Sequence, residues 1–349
     1  MSYRFQFRPY RLAFRAPVRT AHGLWEAREG LIVRLERLSD GRVGWGEAAP
    51  LPWFGTETAA EAAAAARALG DRGDDAQFDA LPALLGCLRH ALAVARDEIE
   101  GPEGAGNPAA DGGKDFFGVA ALLPAGRGVL ERIPPLLEAG FRVFKWKVGI
   151  GDLADELGLF SDVCAALPAG ARLRLDANGA WDRRQAERWL ERCADAPVEF
   201  VEQPCAAASG PALRRREEDL LLGLAGDFPT PLALDESLVA EGDLDRWLGA
   251  GWPGVFVMKP ALFAAPAAAV ARLEQARAAV VFSSALETAV GARSALRLAF
   301  AWRGERRALG FGVWPLFADR RCDGPHVAPF LRAGDLARLA PEDVWNALS

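Results

Sequence analysis

Carboxylate side chains end three short apolar runs of the sequence, at Asp176, Glu202 and Asp235. Three carboxylates that lie close together repel one another unless they are protonated or bound to a cation. Oxygen-only ligation suits a hard ion such as Mg²⁺, with Mn²⁺ as a substitute, and the three histidines are too scattered to favour a zinc cluster. The pattern therefore predicts a divalent-metal site built from these three carboxylates.

Three lysines end other runs of the same kind. Lys145 and Lys147 are two residues apart, so on a strand they point to the same face. Each cation disfavours protonation of the other, which is expected to lower the amine pKa toward the range of a catalytic base. Lys259 is expected to face this pair across the site. A metal neutralises the charge that forms when a proton beside a carboxylate is removed, and a lysine takes that proton.

Neighbouring polar residues allow more than one interpretation. Arg174 shares a face with Asp176, so it either binds substrate or pairs with a metal-ligating carboxylate. Asn178 is either a supporting residue or a turn former. Glu236 is expected to face away from the site in a structural role. One buried charge at a strand end is usually a structural pair, but six on successive strand ends are hard to explain structurally because buried charge is costly.

Eight apolar runs, separated by helical stretches, are the elements that must position these side chains. Strict alternation of strands and helices indicates parallel pairing, and eight such units close a barrel. A doubly wound sheet is the rival, but no glycine-rich phosphate loop follows the first run. The runs are residues 119–123, 143–148, 173–177, 200–202, 232–235, 255–259, 280–284 and, more weakly, 308–311.

The first hundred residues have a different pattern. Residues 3–15, 30–36 and 41–47 predict strands, and residues 58–69 and 81–98 predict helices, which together indicate a small α+β unit. Residues 101–113 are rich in Gly and Pro and predict a linker. The expected organisation is an α+β capping domain over residues 1–113, a barrel over residues 114–314, and a tail over residues 315–349 that packs back on the cap.

Composition excludes several classes of protein. The 349 residues carry a net charge of −6 with no basic tract, so no nucleic-acid partner is expected. Arginines interrupt the N-terminus, and no stretch approaches the roughly 20 apolar residues of a membrane span, so neither a signal peptide nor a membrane partner is expected. Five cysteines without Cys-x-x-Cys spacing fit a reducing compartment. A cytoplasmic protein acting on a small-molecule carboxylate is expected.

The ordered set of strand-end motifs resembles the muconate-lactonising branch of the enolase superfamily over about residues 4–320. This resemblance implies an α/β fold in which an α+β capping domain covers a modified (β/α) TIM-type barrel. Within the branch, residues 122–126 (LLPAG), 144–149 (FKWKVG), 283–288 (SSALET) and 308–312 (ALGFG) look like the o-succinylbenzoate synthase family. That family is a group of lyases that dehydrate 2-succinyl-6-hydroxy-2,4-cyclohexadiene-1-carboxylate on the route to menaquinone or phylloquinone. The strand-end motifs are Lys145-Trp146-Lys147, Asp176-Ala177-Asn178, Glu202-Gln203-Pro204, Asp235-Glu236-Ser237 and Lys259-Pro260.

The resemblance also implies a role for each residue of the metal and lysine set. The three carboxylates would hold Mg²⁺. Lys147 would remove the proton beside the ring carboxylate and return it to the departing hydroxyl. Lys145 would tune Lys147 and contact the carboxylate, and Lys259 would stabilise the anionic intermediate as a cation over the ring.

Further substrate contacts follow from the same resemblance. Ser283 and Ser284 would contact the succinyl group or its carboxylate. Phe54 and Thr56 of the cap would also bind substrate, and Trp53 with Phe54 would exclude water. The cap loops that match the family's closing loops are residues 20–25 and 51–56.

Three other functions remain open on the same residues. Racemisation of N-acylamino acids or epimerisation of dipeptides uses the same metal ligands with a base on each face, for which Lys147 and Lys259 would serve. Cycloisomerisation of muconate is another option. A non-catalytic scaffold with this fold is the alternative of a different class, and retention of the three carboxylates and three lysines argues against it.

Overall fold

An antiparallel sheet and three helices form the described N-terminal residues, in agreement with the α+β pattern of the sequence. The computed structural model describes residues 1–20, 23–101, 116–207 and 210–348. The strands pair in the order β3-β2-β1-β4. Their bounds are β1 Ser2–Thr20, β2 Gly23–Arg37, β3 Val43–Ala48 and β4 Arg72–Asp74, and the helices are α1 Ala59–Ala68, α2 Asp75–Asp79 and α3 Gly86–Glu100.

Seven parallel strands alternate with helices in the second part of the chain. They pair in the order β12-β11-β10-β9-β8-β7-β6, and each crossover carries a helix, as parallel pairing requires. The strands are β6 Ala121–Leu123, β7 Val143–Lys147, β8 Arg172–Asp176, β9 Val198–Glu202, β10 Leu232–Leu234, β11 Val255–Met258 and β12 Ala279–Phe282. The helices are α4 Val129–Glu138, α5 Leu153–Ala166, α6 Arg183–Cys193, α7 Pro211–Asp227, α8 Glu241–Gly249, α9 Pro266–Gln275 and α10 Ala289–Ala301.

The eighth predicted strand is reduced to two bridging residues. Leu309 forms a parallel bridge with Val119 just before β6, and Gly310 forms one with Ser283 just after β12. Backbone hydrogen bonds join residues 309 and 310 to Gly118 and Ala120, just before β6, and to Phe282 and Ser284 at the end of β12. The fold is a modified (β/α) barrel with an α+β capping domain, as expected, and its last strand is as weak as the sequence pattern indicates.

Alternate residues of the barrel strands form two layers in the interior. Phe200, Ala233, Val257 and Val281 belong to one small buried apolar cluster, together with Val255. In each of the four strands the residue two positions later is polar, and side chains two apart share a face. The apolar layer therefore lies directly beneath a polar layer at the carboxyl ends of the strands, where barrel enzymes carry their active sites.

The C-terminal residues pack on the N-terminal sheet. They form β13 Phe330–Arg332, which pairs with β5 Phe116–Gly118, and α11 Pro341–Ala347. The Arg8 guanidinium lies 4.2 Å from the centre of the Trp345 ring, and Trp45 contacts the same ring edge-on. Most of the predicted linker, with its boundary at residue 113, lies outside the described residues. Among those described, no helix combines the length and apolar character needed to cross a membrane, and all five cysteines are free.

His90 gives the contact between cap and barrel a pH dependence. It is fully buried in α3, where its Nδ1–H donates to the carbonyl oxygen of Phe263 at 2.9 Å. Burial lowers the pKa of His90 from 6.5 to about 4. As pH falls from about 6.5 toward 4, the unfolded chain takes up a proton that the folded chain refuses, so stability falls by up to about 3 kcal/mol.

A His90→Asn variant tests this prediction, because its amide can still donate to Phe263. Between pH 7 and pH 4.5 we expect the free energy of unfolding to fall by about 2 to 3 kcal/mol more in the wild type than in the variant. Denaturant titrations at the two pH values measure the difference. Equal pH dependence of the two proteins would show that His90 is not the titrating group.

Candidate active site

The three predicted metal-binding carboxylates lie side by side at the ends of neighbouring strands. Asp176 ends β8 and Glu202 ends β9, and the strand register pairs these two residues directly. Asp235 follows the last residue of β10, the next strand in the sheet. All three side chains are buried. Their strands thus deliver three acidic groups to one end of the barrel, as the sequence predicts.

Two of the three lysines neutralise these carboxylates. The Lys145 ammonium lies 2.9 Å from Asp176 Oδ2 and 2.7 Å from Glu202 Oε1. Lys259 Nζ forms an ion pair with Asp235. The acidic cluster is therefore compensated within the protein by two cations that come from different strands.

The expected lowering of the Lys145 pKa by its neighbour Lys147 is wrong. Burial disfavours the charged Lys145 amine, but the surrounding carboxylates outweigh burial and raise its pKa well above the ordinary value. Lys145 thus remains a cation that organises the acids.

The electrostatic environment differs among the carboxylates. Burial raises the pKa of Glu202 to about 8, despite the opposing attraction of the Lys145 ammonium. Burial also acts to raise the pKa of Asp235, but the Lys259 and Lys145 ammonium groups outweigh it and hold this pKa below its ordinary value. The two acids differ because the charges of Asp176 and Asp235 add to the upward shift of the Glu202 pKa, whereas the lysine ammonium groups dominate at Asp235.

The donor set fits a hard divalent ion, although the side chains are not closed around one. Among the described residues, no three acidic, histidine or cysteine side chains are drawn together as a metal cluster. Instead, Asp176 and Glu202 each direct an oxygen at the single Lys145 ammonium, so two carboxylates already converge on one cation position. An all-oxygen set with this convergence suits Mg²⁺. Asp176, Glu202 and Asp235 are the residues that could hold such an ion.

Lys147 stands beside this cluster with its ammonium available. It is paired with Asp176 in the strand register, and within the described residues it makes no hydrogen bond or ion pair. Lys147 and Lys259 both line a cavity of about 640 Å³ at the carboxyl ends of the strands. A small molecule in this cavity would meet the Lys147 ammonium, which forms no bond to another described residue.

Aromatic residues of the cap cover the cavity. Trp53 and Phe54 line it from the cap, as does Trp25, which packs edge-on against Trp53 with ring centres 4.6 Å apart. Lys259 Nζ lies 5.0 Å from the centre of the Phe54 ring. Residues 51–55 line the cavity, where the predicted cap loop 51–56 is expected to lie. Ala21 and His22 of the other predicted loop lie outside the described residues.

The hydroxyl groups predicted to bind substrate are already used by the protein. Thr56 Oγ1 accepts from Leu51 N–H at 2.7 Å and donates to a backbone carbonyl, and Thr56 does not line the cavity. Ser283 Oγ donates to the Gly310 carbonyl at 3.3 Å. Ser284 lines the cavity, but its hydroxyl donates to Glu287. Of these three hydroxyl-bearing residues, Ser284 is the one that lines the cavity and could contact a ligand there.

Arg174 is not brought to the cavity. Its guanidinium is buried, lies over the Phe200 ring and pairs with Glu199 at 2.7 Å. It also donates to the Ala308 carbonyl at 2.8 Å, which ties β8 to the segment that closes the barrel. Arg174 thus shares a face with Asp176, as predicted, but lies one layer deeper and makes structural contacts there.

Glu236 lies at the cavity, contrary to the expectation that it faces away. It lines the cavity and accepts a hydrogen bond from Asn178 Nδ2 at 2.9 Å. Burial raises its pKa to about 7, and the nearby charges of Asp235 and Asp176 add to this shift. Strand alternation does not apply here, because β10 ends at Leu234 and Glu236 belongs to the loop.

Two family models match the chain. The model described as Enolase C-terminal domain-like matches residues 129–328, and the MenC N-terminal domain matches residues 3–98. An o-succinylbenzoate synthase of Thermosynechococcus vestitus is 36% identical over 315 residues, which covers 89% of this chain and 92% of that protein. A hydrophobic dipeptide epimerase of Roseobacter litoralis is 33% identical over 66% of this chain and 67% of that protein.

Solved structures agree with these matches. The crystal structure of an o-succinylbenzoate synthase from Thermosynechococcus elongatus, complexed with Mg in the active site, has a TM-score of 0.79 and 33% identity over 99% of both chains. The fold and the polar strand ends define a capped-barrel protein with an acidic and lysine-lined centre. The chain belongs to the enolase superfamily.

Proposed function

We propose that the protein is an o-succinylbenzoate synthase that dehydrates 2-succinyl-6-hydroxy-2,4-cyclohexadiene-1-carboxylate to o-succinylbenzoate. The arrangement of Lys147 and Lys259 on one cavity, beside three carboxylates at successive strand ends, carries this proposal. The similarity to synthases over most of the chain supports the choice of substrate. The reaction belongs to the route to menaquinone or phylloquinone.

The lysines divide the work of the reaction. Lys147 takes the proton from the ring carbon beside the carboxylate, and the electron pair that remains expels the neighbouring hydroxyl as the ring becomes aromatic. The same lysine returns the proton to that hydroxyl, which leaves as water. Lys259 faces the cavity and stabilises the negative charge that builds up on the substrate. Lys145 holds the acids in place.

The three carboxylates are the groups that would bind a divalent ion in this chain. Asp176, Glu202 and Asp235 would hold Mg²⁺, and Mn²⁺ would be able to substitute for it. When bound, the ion would neutralise negative charge at the substrate carboxylate. The aromatic cover of the cap excludes water from the reacting ring. Arg174 is assigned a structural role here because its donors are taken up by Glu199 and Ala308.

Racemisation or epimerisation is the second candidate. Two lysines that both reach one cavity could act from opposite sides of a carbon, and one of the similar proteins is a dipeptide epimerase.

The free cysteines and the absence of a basic tract fit a cytoplasmic enzyme for a small carboxylate substrate.

Assays of the purified protein with each substrate class test the proposal. We expect rapid Mg²⁺-dependent dehydration of the cyclohexadiene carboxylate. The reaction is monitored through the absorbance of the aromatic product. Fast racemisation of N-acylamino acids or dipeptides with negligible dehydration would overturn this choice. Failure to bind Mg²⁺ at millimolar concentration in calorimetry would favour a non-catalytic scaffold instead.

A further inference from the structure

A buried guanidinium joins the cap to the barrel beside the cavity. Arg28 of β2 is 1% exposed. It donates to backbone carbonyls at Pro50 (2.6 Å), Glu29 (3.0 Å), Leu286 (3.2 Å) and Ala49. Within the described ranges it forms no ion pair with a carboxylate, and its charge is met by these backbone oxygens and by the Trp25 ring, whose centre lies 5.2 Å from the guanidinium carbon. A buried cation satisfied this way holds its partners in a specific geometry.

Three of the four carbonyls that Arg28 binds belong to two segments that lead into or form walls of the cavity. Ala49 and Pro50 lead directly into the cap loop that carries Trp53 and Phe54. Leu286 belongs to the loop after β12, in which residues 284–286 all line the cavity. One side chain thus connects the aromatic cover of the cap to a wall of the barrel.

The barrel contact falls on a strained residue. Leu286 has φ +59°, a left-handed conformation that is uncommon for a residue with a side chain. Its N–H donates to Ser284 Oγ at 2.9 Å, and its carbonyl accepts from Arg28 Nε. Such a conformation persists when its surroundings determine it more than once, and Arg28 is the contribution that comes from the cap.

Glu47 of β3 holds the same loop at its other end. Its carboxylate accepts hydrogen bonds from Thr288 N–H at 3.0 Å, Thr288 Oγ1 at 2.5 Å and Gly291 N–H at 2.8 Å. These donors belong to the start of α10, where a carboxylate is favoured. The cap therefore contacts residues 286–291 through both Arg28 and Glu47. Residues 284–286, which line the cavity, lie next to these contacts.

We propose that Arg28 is a positioning residue that sets the shape of the substrate cavity, because it fixes residues 49–54 of the cap against residues 284–286 of the barrel. The expected effect on kcat and KM rests on the proposed function, whereas the expected effect on hydrogen–deuterium exchange does not. The group touches neither the metal site nor the lysines, so it acts through the walls alone.

Arg28→Met and Arg28→Lys test this role, with Arg34→Met as the matched control. Arg34 lies on the same strand and pairs with Glu36 at 3.0 Å, away from the cavity. Hydrogen–deuterium exchange is measured over residues 283–291 and 49–57, together with kcat, KM and the Mg²⁺ Kd. The lysine variant is included because its ammonium keeps the charge and part of the hydrogen bonding.

For Arg28→Met we expect exchange over residues 283–291 to accelerate at least about 10-fold, and kcat/KM to fall at least about 10-fold mainly through KM. The Mg²⁺ Kd should change less than about 2-fold, Arg28→Lys should be intermediate, and Arg34→Met should match the wild type. Unchanged exchange and KM in both Arg28 variants, or a fall in stability with KM unchanged, would overturn the proposal.

Two further outcomes are distinguishable. If Arg28→Met does not fold, the lysine variant alone decides, by the same exchange and KM criteria. If the wild type lacks dehydratase activity, the proposed function fails. The exchange measurement still tests whether Arg28 positions residues 284–286, and KM is then measured in the racemisation assay.

Discussion

Replacing Lys147 by alanine is expected to lower kcat for dehydration by about 10²- to 10⁴-fold or more, because a positioned acid–base group contributes a factor of this size. Lys147 lines the cavity and forms no bond to another described residue, whereas Lys145 and Lys259 are each held in an ion pair. Exchange of the substrate proton with deuterated solvent should disappear together with turnover. Mg²⁺ binding should persist, because Lys147 is not engaged with the carboxylates.

Lys147→Arg is the matched control for this prediction. It keeps the positive charge in the cavity but cannot act as a base near neutral pH. We expect it to be as inactive as the alanine variant, which would separate proton transfer from simple charge. Near-normal turnover in either variant would assign the base to another residue.

Replacing Glu202 by glutamine is expected to weaken Mg²⁺ binding at least about 100-fold, because changes to groups that only support metal ligands already cost about 10- to 100-fold. Glu202 is buried between β8 and β10, and it shares the Lys145 ammonium with Asp176. The amide retains the size of the side chain and removes its charge. Isothermal calorimetry measures the affinity for Mg²⁺. The value of kcat/KM at saturating Mg²⁺ measures the loss of activity that added metal does not restore.

The control for the glutamine variant is Glu191→Gln, which removes an exposed carboxylate from α6. It should bind Mg²⁺ like the wild type. If Glu202→Gln also kept wild-type affinity, Glu202 would not be a metal ligand. The Glu202 and Asp176 oxygens would then lie close together only because both pair with the Lys145 ammonium.

The strand-end residues were predictable from sequence because a barrel imposes a simple geometry. Buried strands are short apolar runs, and a charged residue at the end of each is conspicuous. Parallel pairing then brings those ends together, as the register of Asp176 with Glu202 and with Lys147 shows. Local pattern and global fold point to the same arrangement, which is why this part of the site required no knowledge of distant contacts.

Other features depend on contacts that no local pattern encodes. Arg28 binds a carbonyl 258 residues away, and an arginine in an amphipathic strand gives no sign of it. The neighbouring Lys147 predicts a lowered pKa for Lys145, but the carboxylates of other strands raise it. Strand alternation predicts that Glu236 faces away from the site, but β10 ends at Leu234 and alternation does not extend into the loop.

The two bridging residues that replace an eighth strand have a consequence for the behaviour of the protein in concentrated solution. Leu309 and Gly310 take up hydrogen-bonding groups next to both terminal strands of the parallel sheet. A sheet whose margins are occupied presents little template for another polypeptide to add to, which is the usual route to edge-wise aggregation. Disrupting this short seam is therefore expected to promote self-association, which light scattering at increasing protein concentration would detect.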